Sequence, residues 1–215
     1  MGQVSVVSTP HGEARLHRDR ARRPIGTLLL GHGAGGGVEA PDLVALAEAL
    51  PRQGISVVRL EQPWRVSGKK IAAPPAVLDV CLLAAARQVR SQTPLVVGGR
   101  SAGARSAARC VAELHAAAYL ALAFPLHPPG RPERSRVEEL EAVAVPTLVI
   151  QGERDPFGGP EEFPPGVELA VVPGGDHSFR VPRRGAVTQE EAMTIIVEAT
   201  LEFVVRDVAG NRTAP

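Results

Sequence analysis

Short runs of apolar residues alternate along this chain with longer stretches in which apolar and polar residues are interleaved. The apolar runs are typical of buried strands and the interleaved stretches of helices. Strands are predicted at residues 4–8, 14–17, 27–30, 55–60, 95–98, 119–124, 147–152 and 167–172. Helices are predicted at 41–50, 76–91, 102–115, 136–143 and 188–205, and irregular loops at 61–75 and 125–135. In the first of these helices, Asp42 falls in the first turn, where a carboxylate suits the helix dipole.

The order of these elements predicts the fold class. Strands alternate with helices, and the inner strands are apolar throughout, as expected when helices cover both faces of a sheet. We therefore predict an α/β domain with a doubly wound, mostly parallel sheet over residues 1–215, with opening strands in residues 1–20 and a frayed tail at 206–215. In such sheets the functional residues lie on loops that follow the carboxyl ends of the strands.

Composition excludes several classes of partner. The 24 basic and 23 acidic residues give a net charge of +1, and aromatic residues make up 3%, so neither nucleic acid nor an anionic membrane is expected to bind. The longest apolar stretch, residues 116–124, is shorter than the roughly 18 residues of a membrane span. Residues 1–20 hold no apolar signal segment, so a cytoplasmic location is expected. The two cysteines and six histidines show no metal-ligand spacing, and no metal or other cofactor is predicted.

The strongest chemical motif is Gly99-x-Ser101-x-Gly103, placed between a predicted strand and a predicted helix. This pattern is typical of a nucleophile elbow, in which a strained turn presents the serine above the sheet and small neighbours avoid collisions. A simpler interpretation is that Ser101 caps the following helix. That alternative leaves the paired glycines unexplained.

A serine nucleophile needs a general base and an acid that orients the base. Asp155 follows one predicted strand and His177 follows the next, which is the order Ser, Asp, His expected for this fold. Both positions also suit ordinary turns. Glu153 and Asp176 are weaker candidates for the acid.

The glycine-rich segment at residues 31–37 allows two interpretations. In the first, the backbone N–H groups of Ala34 and of Ala102, which follows the serine, form an oxyanion hole, and His32 braces the loop. In the second, Gly31-x-Gly33-x-x-Gly36 is a dinucleotide-binding fingerprint, with Glu61 as the ribose-binding acid. The late start of the next helix, at residue 41, counts against the second.

Other residues are predicted to line a substrate pocket, and these are His32, Gly33, Trp64, Arg100, His127, Phe157 and Phe179. His127 has an alternative role in a proline-braced loop. Trp64 and its basic neighbours have an alternative place in a solvated loop. Arg100 either contacts substrate or braces the elbow.

These motifs together resemble the α/β-hydrolase superfamily. The resemblance rests on the segments GHGAG (31–35), GRSAG (99–103), FPLHPPG (124–130), QGERDPFG (151–158) and GGDHSF (174–179). More narrowly, the chain resembles the small, lid-poor testis-expressed and chromatin-complex (KANL) hydrolase-like proteins, near the dienelactone-hydrolase-like branch. The family often has a second glycine after the elbow, where this chain has Ala104.

The expected function is therefore that of a serine hydrolase that cleaves small carboxylic esters through an acyl-enzyme intermediate. A small-molecule ester is the expected partner, and the sequence does not indicate an oligomeric state. The connection between residues 124 and 147 is too short for a large lid, which implies an open site. Two alternatives remain, a catalytically silent interaction module and a dinucleotide-binding protein.

Overall fold

A mixed sheet of eight strands runs through the computed structural model, which describes residues 2–89 and 93–210. The strands are β1 (Gln3–Thr9), β2 (Gly12–Asp19), β3 (Gly26–Gly31), β4 (Ile55–Glu61), β5 (Leu95–Arg100), β6 (Ala118–Leu122), β7 (Thr147–Gly152) and β8 (Glu168–Val172). Their order across the sheet is β1-β2-β4-β3-β5-β6-β7-β8. The pairs β1–β2 and β2–β4 are antiparallel, and the other pairs are parallel.

Helices lie in most of the connections between the parallel strands, and one more follows the last strand. They are α1 (Pro41–Ala49), α2 (Pro63–Val66), α3 (Pro75–Ala86), α4 (Ala102–Cys110), α5 (Val137–Glu141) and α6 (Gln189–Phe203). Short 3-10 turns at Leu50–Gln53 and Pro160–Glu162 and a π-helical segment at Val204–Ala209 complete the set within the described ranges. This architecture confirms the predicted mostly parallel, doubly wound α/β fold.

The core lies in two layers, one on each face of the sheet. On β3, Leu28 and Leu30 pack in the layer shared with α1 and α6, whereas Leu29 packs in the layer shared with α3 and α4. Successive residues of a strand point to opposite faces, so a strand covered on both sides must be apolar at every position. That requirement explains the uninterrupted apolar runs in the sequence.

The helix predicted at 102–115 is shorter than expected, because α4 ends at Cys110. His115 then adopts a positive φ of 48°, and Ala117 N–H donates to Leu95 O at 2.7 Å as the chain enters β6. The apolar pattern continues through this turn because side chains of the turn also face the core. The apolar periodicity of the sequence therefore predicts a helix that is five residues longer than α4.

Other boundaries differ in the same modest way. A short helix, α2, lies within the loop predicted at 61–75, with a proline at its first position. Helix α3 ends at Ala86, and the end predicted for it, Ser91, lies outside the described residues. Of the tail predicted at 206–215, residues 206–209 are π-helical and residues 211–215 lie outside the described residues.

The parallel strands bring distant loops to one edge of the sheet. The loops after β3, β5, β7 and β8 all leave from the carboxyl edge, where sheets of this type carry their functional residues. The connection from β6 to β7 contains only the five-residue helix α5 within an irregular path, so it forms no lid over this edge. None of the described helices has the length and apolar character needed to cross a bilayer.

Helix α6 supports this edge from below. Its N-terminus is closed by a capping box in which Thr188 Oγ1 accepts from Glu191 N–H at 3.2 Å. The amide Nε2 of Gln189 donates to Phe179 O at 2.9 Å, which ties the start of the helix to the loop after β8. The beginning of α6 thus contributes to the position of that loop.

We expect Thr188→Ala to lower the free energy of unfolding by about 1 kcal/mol, because the N-cap acceptor is lost. Urea unfolding measures the change. Thr194→Ala is the matched control, since Thr194 is exposed within the same helix and alanine has the higher helix propensity. Equal losses in the two variants would contradict the capping role.

Candidate active site

Ser101 lies at a sharp turn between β5 and α4. Its φ is +52°, in a region that non-glycine residues adopt rarely, and its N–H donates to Leu122 O at 2.9 Å. A Cβ added to Gly99 would lie 2.5 Å from Gly31 O, and one added to Gly103 would collide with the same oxygen. Glycines on both sides of the serine are therefore required by close packing of the backbone.

The side chain of Ser101 faces His177. His177 Nε2 is 2.9 Å from Ser101 Oγ, and His177 Nδ1 is 2.7 Å from Asp155 Oδ2. A carboxylate only accepts hydrogen bonds, so the imidazole proton belongs on Nδ1 and leaves Nε2 free to accept from the serine hydroxyl. Ser101 makes no side-chain capping bond to α4, so the helix-cap interpretation is wrong.

The other acidic candidates have partners elsewhere. Glu153 Oε2 accepts from Gly174 N–H at 2.5 Å. Asp176 Oδ1 accepts from the N–H groups of Ser178 and Arg180 at 2.7 and 3.0 Å, which shapes the loop around the histidine. Both carboxylates therefore stabilise turns.

Asp155 is buried and held from two sides. Its Oδ1 accepts from Phe157 N–H at 2.8 Å, and its Oδ2 accepts from Gln151 Nε2 at 2.9 Å. Gln151 is fully buried at the end of β7, and its Nε2 also lies 2.8 Å from Gly158 O. No role is predicted for Gln151 from the sequence, although an amide that directly follows the apolar residues of a strand is the signal that marks it.

The glycine-rich loop after β3 runs beside the serine. A Cβ added to Gly33 would lie 3.5 Å from Ser101 Cβ. The backbone N–H groups of Ala34, in this loop, and of Ala102, the first residue of α4, donate to no acceptor among the described residues. Two amides near the serine are thus available to an anionic oxygen, one of them at a helix N-terminus.

His32 braces this loop rather than facing the serine. It is buried, its Nε2 accepts from Gln62 N–H at 3.1 Å, and its Nδ1 donates to Gly33 O at 2.9 Å. These contacts define a neutral imidazole, and burial lowers the pKa of His32 further. Trp64 packs edge-on against it at 5.4 Å between ring centroids and is itself buried, so Trp64 does not lie in a solvated loop.

The dinucleotide interpretation has little structural support. Gly31 is needed because it packs against Gly103, whose Cα would lie 3.2 Å from an added Cβ. Helix α1 begins at Pro41, well after the glycines, and Glu61 Oε2 already lies 3.1 Å from His17 Nε2. The glycine spacing is thus accounted for by contact with the elbow.

The two predicted pocket phenylalanines have different positions. Phe157 is partly exposed and stacks on the imidazole of His177, with ring centroids 4.1 Å apart and an interplanar angle of 28°. Phe179 is fully buried in the core layer that contains Ile196 and Phe203 of α6, so its assignment to the pocket is corrected. Its positive φ of 54° turns the chain inward directly after the histidine loop.

His127 and Arg100 both brace loops at this edge. His127 Nδ1 is 3.0 Å from Pro128 O and its Nε2 is 2.8 Å from Glu162 Oε2, two acceptors that favour the doubly protonated ring. The Pro128 carbonyl first, and then Glu162, raise the pKa of His127. Arg100 Nη2 donates to His177 O at 2.8 Å, so this side chain is turned toward the loop of the histidine.

Comparisons with known proteins agree with the fold. The family model described as alpha/beta hydrolase domain matches residues 24–205. A solved structure described as an α/β serine hydrolase without lid, from Xanthomonas campestris, is 22% identical with a TM-score of 0.75, covering 100% of this chain and 97% of the other. Dienelactone hydrolase from Anabaena variabilis is 18% identical with a TM-score of 0.74, covering 97% and 98%. At identities this low, the TM-scores show that these proteins share a fold with this chain.

We expect Gln151→Leu to lower the free energy of unfolding by about 1–3 kcal/mol. Leucine is close to glutamine in volume but has no N–H group, so Asp155 Oδ2 and Gly158 O lose a buried hydrogen-bond donor. Urea unfolding tests this. Gln53→Leu is the control, since Gln53 is exposed and its replacement should change stability by less than about 0.5 kcal/mol. A small loss at Gln151 would show that its contacts are dispensable.

The pair of His127 and Glu162 predicts a pH-dependent stability. The Pro128 carbonyl and then Glu162 raise the pKa of His127 from 6.5, and the Gly159 N–H and then His127 lower the pKa of Glu162 from 4.5. These contacts therefore stabilise the fold between the two folded-state pKa values. His127→Gln should therefore destabilise the protein more at about pH 6 than at about pH 9, because the stabilisation is lost as the pH rises through the raised pKa of His127. Urea unfolding at the two pH values, with the exposed His11→Gln as control, measures it. A deficit that is constant with pH would refute the assignment.

Proposed function

The chain belongs to the alpha/beta hydrolase domain family, and we propose that it is a serine hydrolase that cleaves small carboxylic esters. The observation that carries the proposal is the continuous hydrogen-bonded line from Ser101 Oγ through His177 to Asp155, with links of 2.9 and 2.7 Å. A strained backbone at the serine and two unengaged amides beside it support the same chemistry.

In the proposed reaction, Ser101 Oγ attacks the acyl carbon of the ester while His177 Nε2 takes its proton. Asp155 keeps the proton of the neutral ring on Nδ1 and stabilises the imidazolium that forms. The ester C–O bond then breaks, and the leaving alcohol takes the proton from Nε2. Water then attacks the acyl-enzyme while His177 Nε2 takes its proton. The bond between the acyl carbon and Ser101 Oγ breaks, Oγ takes the proton back from Nε2, and the acid is released.

The negative charge that develops on the carbonyl oxygen of the ester needs hydrogen-bond donors to stabilise it. We assign that role to the backbone N–H groups of Ala34 and Ala102. Loss of one such donor costs about 2.7–4 kcal/mol of transition-state stabilisation in other serine hydrolases. The donors are backbone groups, so side-chain substitution at either alanine tests them only indirectly.

The open edge of the sheet favours small or protruding acyl groups. The β6–β7 connection forms no lid, and the side chain of His177 keeps 20% of its surface exposed. Phe157 supplies an apolar surface against the imidazole. Among the structural relatives, the name dienelactone hydrolase refers to a lactone, which is a cyclic ester. The narrower likeness to testis-expressed and KANL hydrolase-like proteins stays a prediction.

The test is covalent labelling with a fluorophosphonate. We expect the protein to be labelled on Ser101 and Ser101→Ala to remain unlabelled, because the phosphonate reacts with an activated serine. Asp155→Asn should lower the hydrolysis of p-nitrophenyl acetate by on the order of 10³- to 10⁴-fold, because the tautomer is no longer fixed. Mass spectrometry and initial rates are the measurements.

Ser178→Ala is the matched control, since Ser178 adjoins His177 and its hydroxyl makes no hydrogen bond among the described residues. It should be labelled like the unaltered protein. Equal labelling of the Ser101→Ala variant would reject the nucleophile. If the protein is neither labelled nor able to turn over p-nitrophenyl esters, thioesters or amides, a catalytically silent interaction module is favoured. If NAD(P) raises its thermal stability, a dinucleotide-binding protein is favoured.

A further inference from the structure

An acidic side chain outside the Ser101–His177–Asp155 line is buried beside it. Asp42, in the first turn of α1, exposes 1% of its side chain, and neither carboxylate oxygen has a hydrogen-bond partner among the described residues. Burial raises the pKa of Asp42, and the nearby cation of Arg100 opposes that rise. A carboxylate in such a place is costly unless its charge is compensated. Its position therefore needs a reason other than the helix dipole.

Arg100 supplies the compensating charge and makes a second contact. Its Nε lies 3.5 Å from Asp42 Oδ2, and its Nη2 donates to the main-chain oxygen of His177 at 2.8 Å. Only 11% of the Arg100 side chain is exposed. One planar guanidinium thus connects the start of α1 to the histidine loop, and it belongs to the residue that precedes Ser101.

The hydrogen bond from Arg100 to His177 O adds to the contacts that the loop after β8 makes within itself. Asp176 closes the turn around His177 by accepting from the next backbone amides, and Phe179 anchors the end of the turn in the core. The carbonyl of His177 is turned outward from that turn toward Arg100. The main chain of His177 is therefore contacted by the side chain of the residue that precedes Ser101.

We propose that Asp42 and Arg100 are positioning residues, in which Asp42 orients the guanidinium and the guanidinium holds the main chain of His177 at its distance from Ser101. The inference rests on the proposed function and deepens it. Neither residue touches the reacting atoms. An acid suits the place of Asp42 because an uncompensated Arg100 cation would oppose formation of the imidazolium on His177.

The experiment compares Arg100→Met, Arg100→Lys and Asp42→Asn with the unaltered protein. We expect Arg100→Met to slow fluorophosphonate labelling and to lower kcat by on the order of 10- to 100-fold with little change in KM, because misplacement by about 1 Å has effects of that size. Arg100→Lys should restore part of the rate, since lysine also donates to a carbonyl. Asp42→Asn keeps the shape of the side chain and should reduce kcat by a smaller factor.

A second readout does not depend on turnover. The Nδ1 proton of His177, hydrogen-bonded to Asp155, gives a downfield ¹H NMR resonance that is identified by its loss in His177→Gln. We expect this resonance to shift or to exchange faster with water in Arg100→Met and, to a lesser degree, in Asp42→Asn. If the unaltered protein is not labelled while the resonance still responds, the proposed function fails and the positioning role stands.

Arg105→Met is the matched control. Arg105 is also largely buried, pairs with Glu139 at 2.6 Å and does not contact His177. This variant should lose stability in urea without a change in the labelling rate or in the resonance. Labelling rates and resonances that are unchanged in both Arg100→Met and Asp42→Asn, or changed equally in Arg105→Met, would overturn the inference.

Discussion

The close approach of two backbone turns is the constraint on which the site depends. The turn after β3 and the turn after β5 pack with their glycines in contact, so that a single added methyl group at Gly99 or Gly103 would meet the carbonyl of Gly31. Ser101 lies between these two glycines with a φ of 52°, a strained conformation for a residue other than glycine. The same contact brings the glycine-rich loop that contains Ala34 beside Ser101.

The histidine and the aspartate depend on a second level of organisation. They come from the loops after β8 and β7, and a buried or largely buried polar side chain of a strand contacts each loop. Arg100 reaches the first loop from β5, and Gln151 reaches the acid from the end of β7. Buried hydrogen bonds are directional, so they fix the positions of His177 and Asp155 more narrowly than apolar packing does.

Local patterns in the sequence were sufficient for the fold and for identifying Ser101, Asp155 and His177 as residues that meet at one edge of the sheet. The glycines around Ser101 and the order of Ser101, Asp155 and His177 follow from rules that act within a few residues or along the sheet edge. Asp42 shows the limit of such rules. An acidic residue in the first turn of a helix is expected from the helix dipole, and nothing in the local sequence shows that this one is buried beside Arg100. Phe179 is a similar case, since only the tertiary structure distinguishes a core phenylalanine from one that lines a pocket.

The aromatic ring stacked on the imidazole has a consequence for the mobility of His177. Phe157 packs against one face of that imidazole, with the ring centroids 4.1 Å apart, and so limits its rotation. The rotational entropy of the imidazole is therefore surrendered when the chain folds instead of at each encounter with a ligand. A wider or narrower ring at this position would change how freely the imidazole of His177 rotates, even with every hydrogen bond retained.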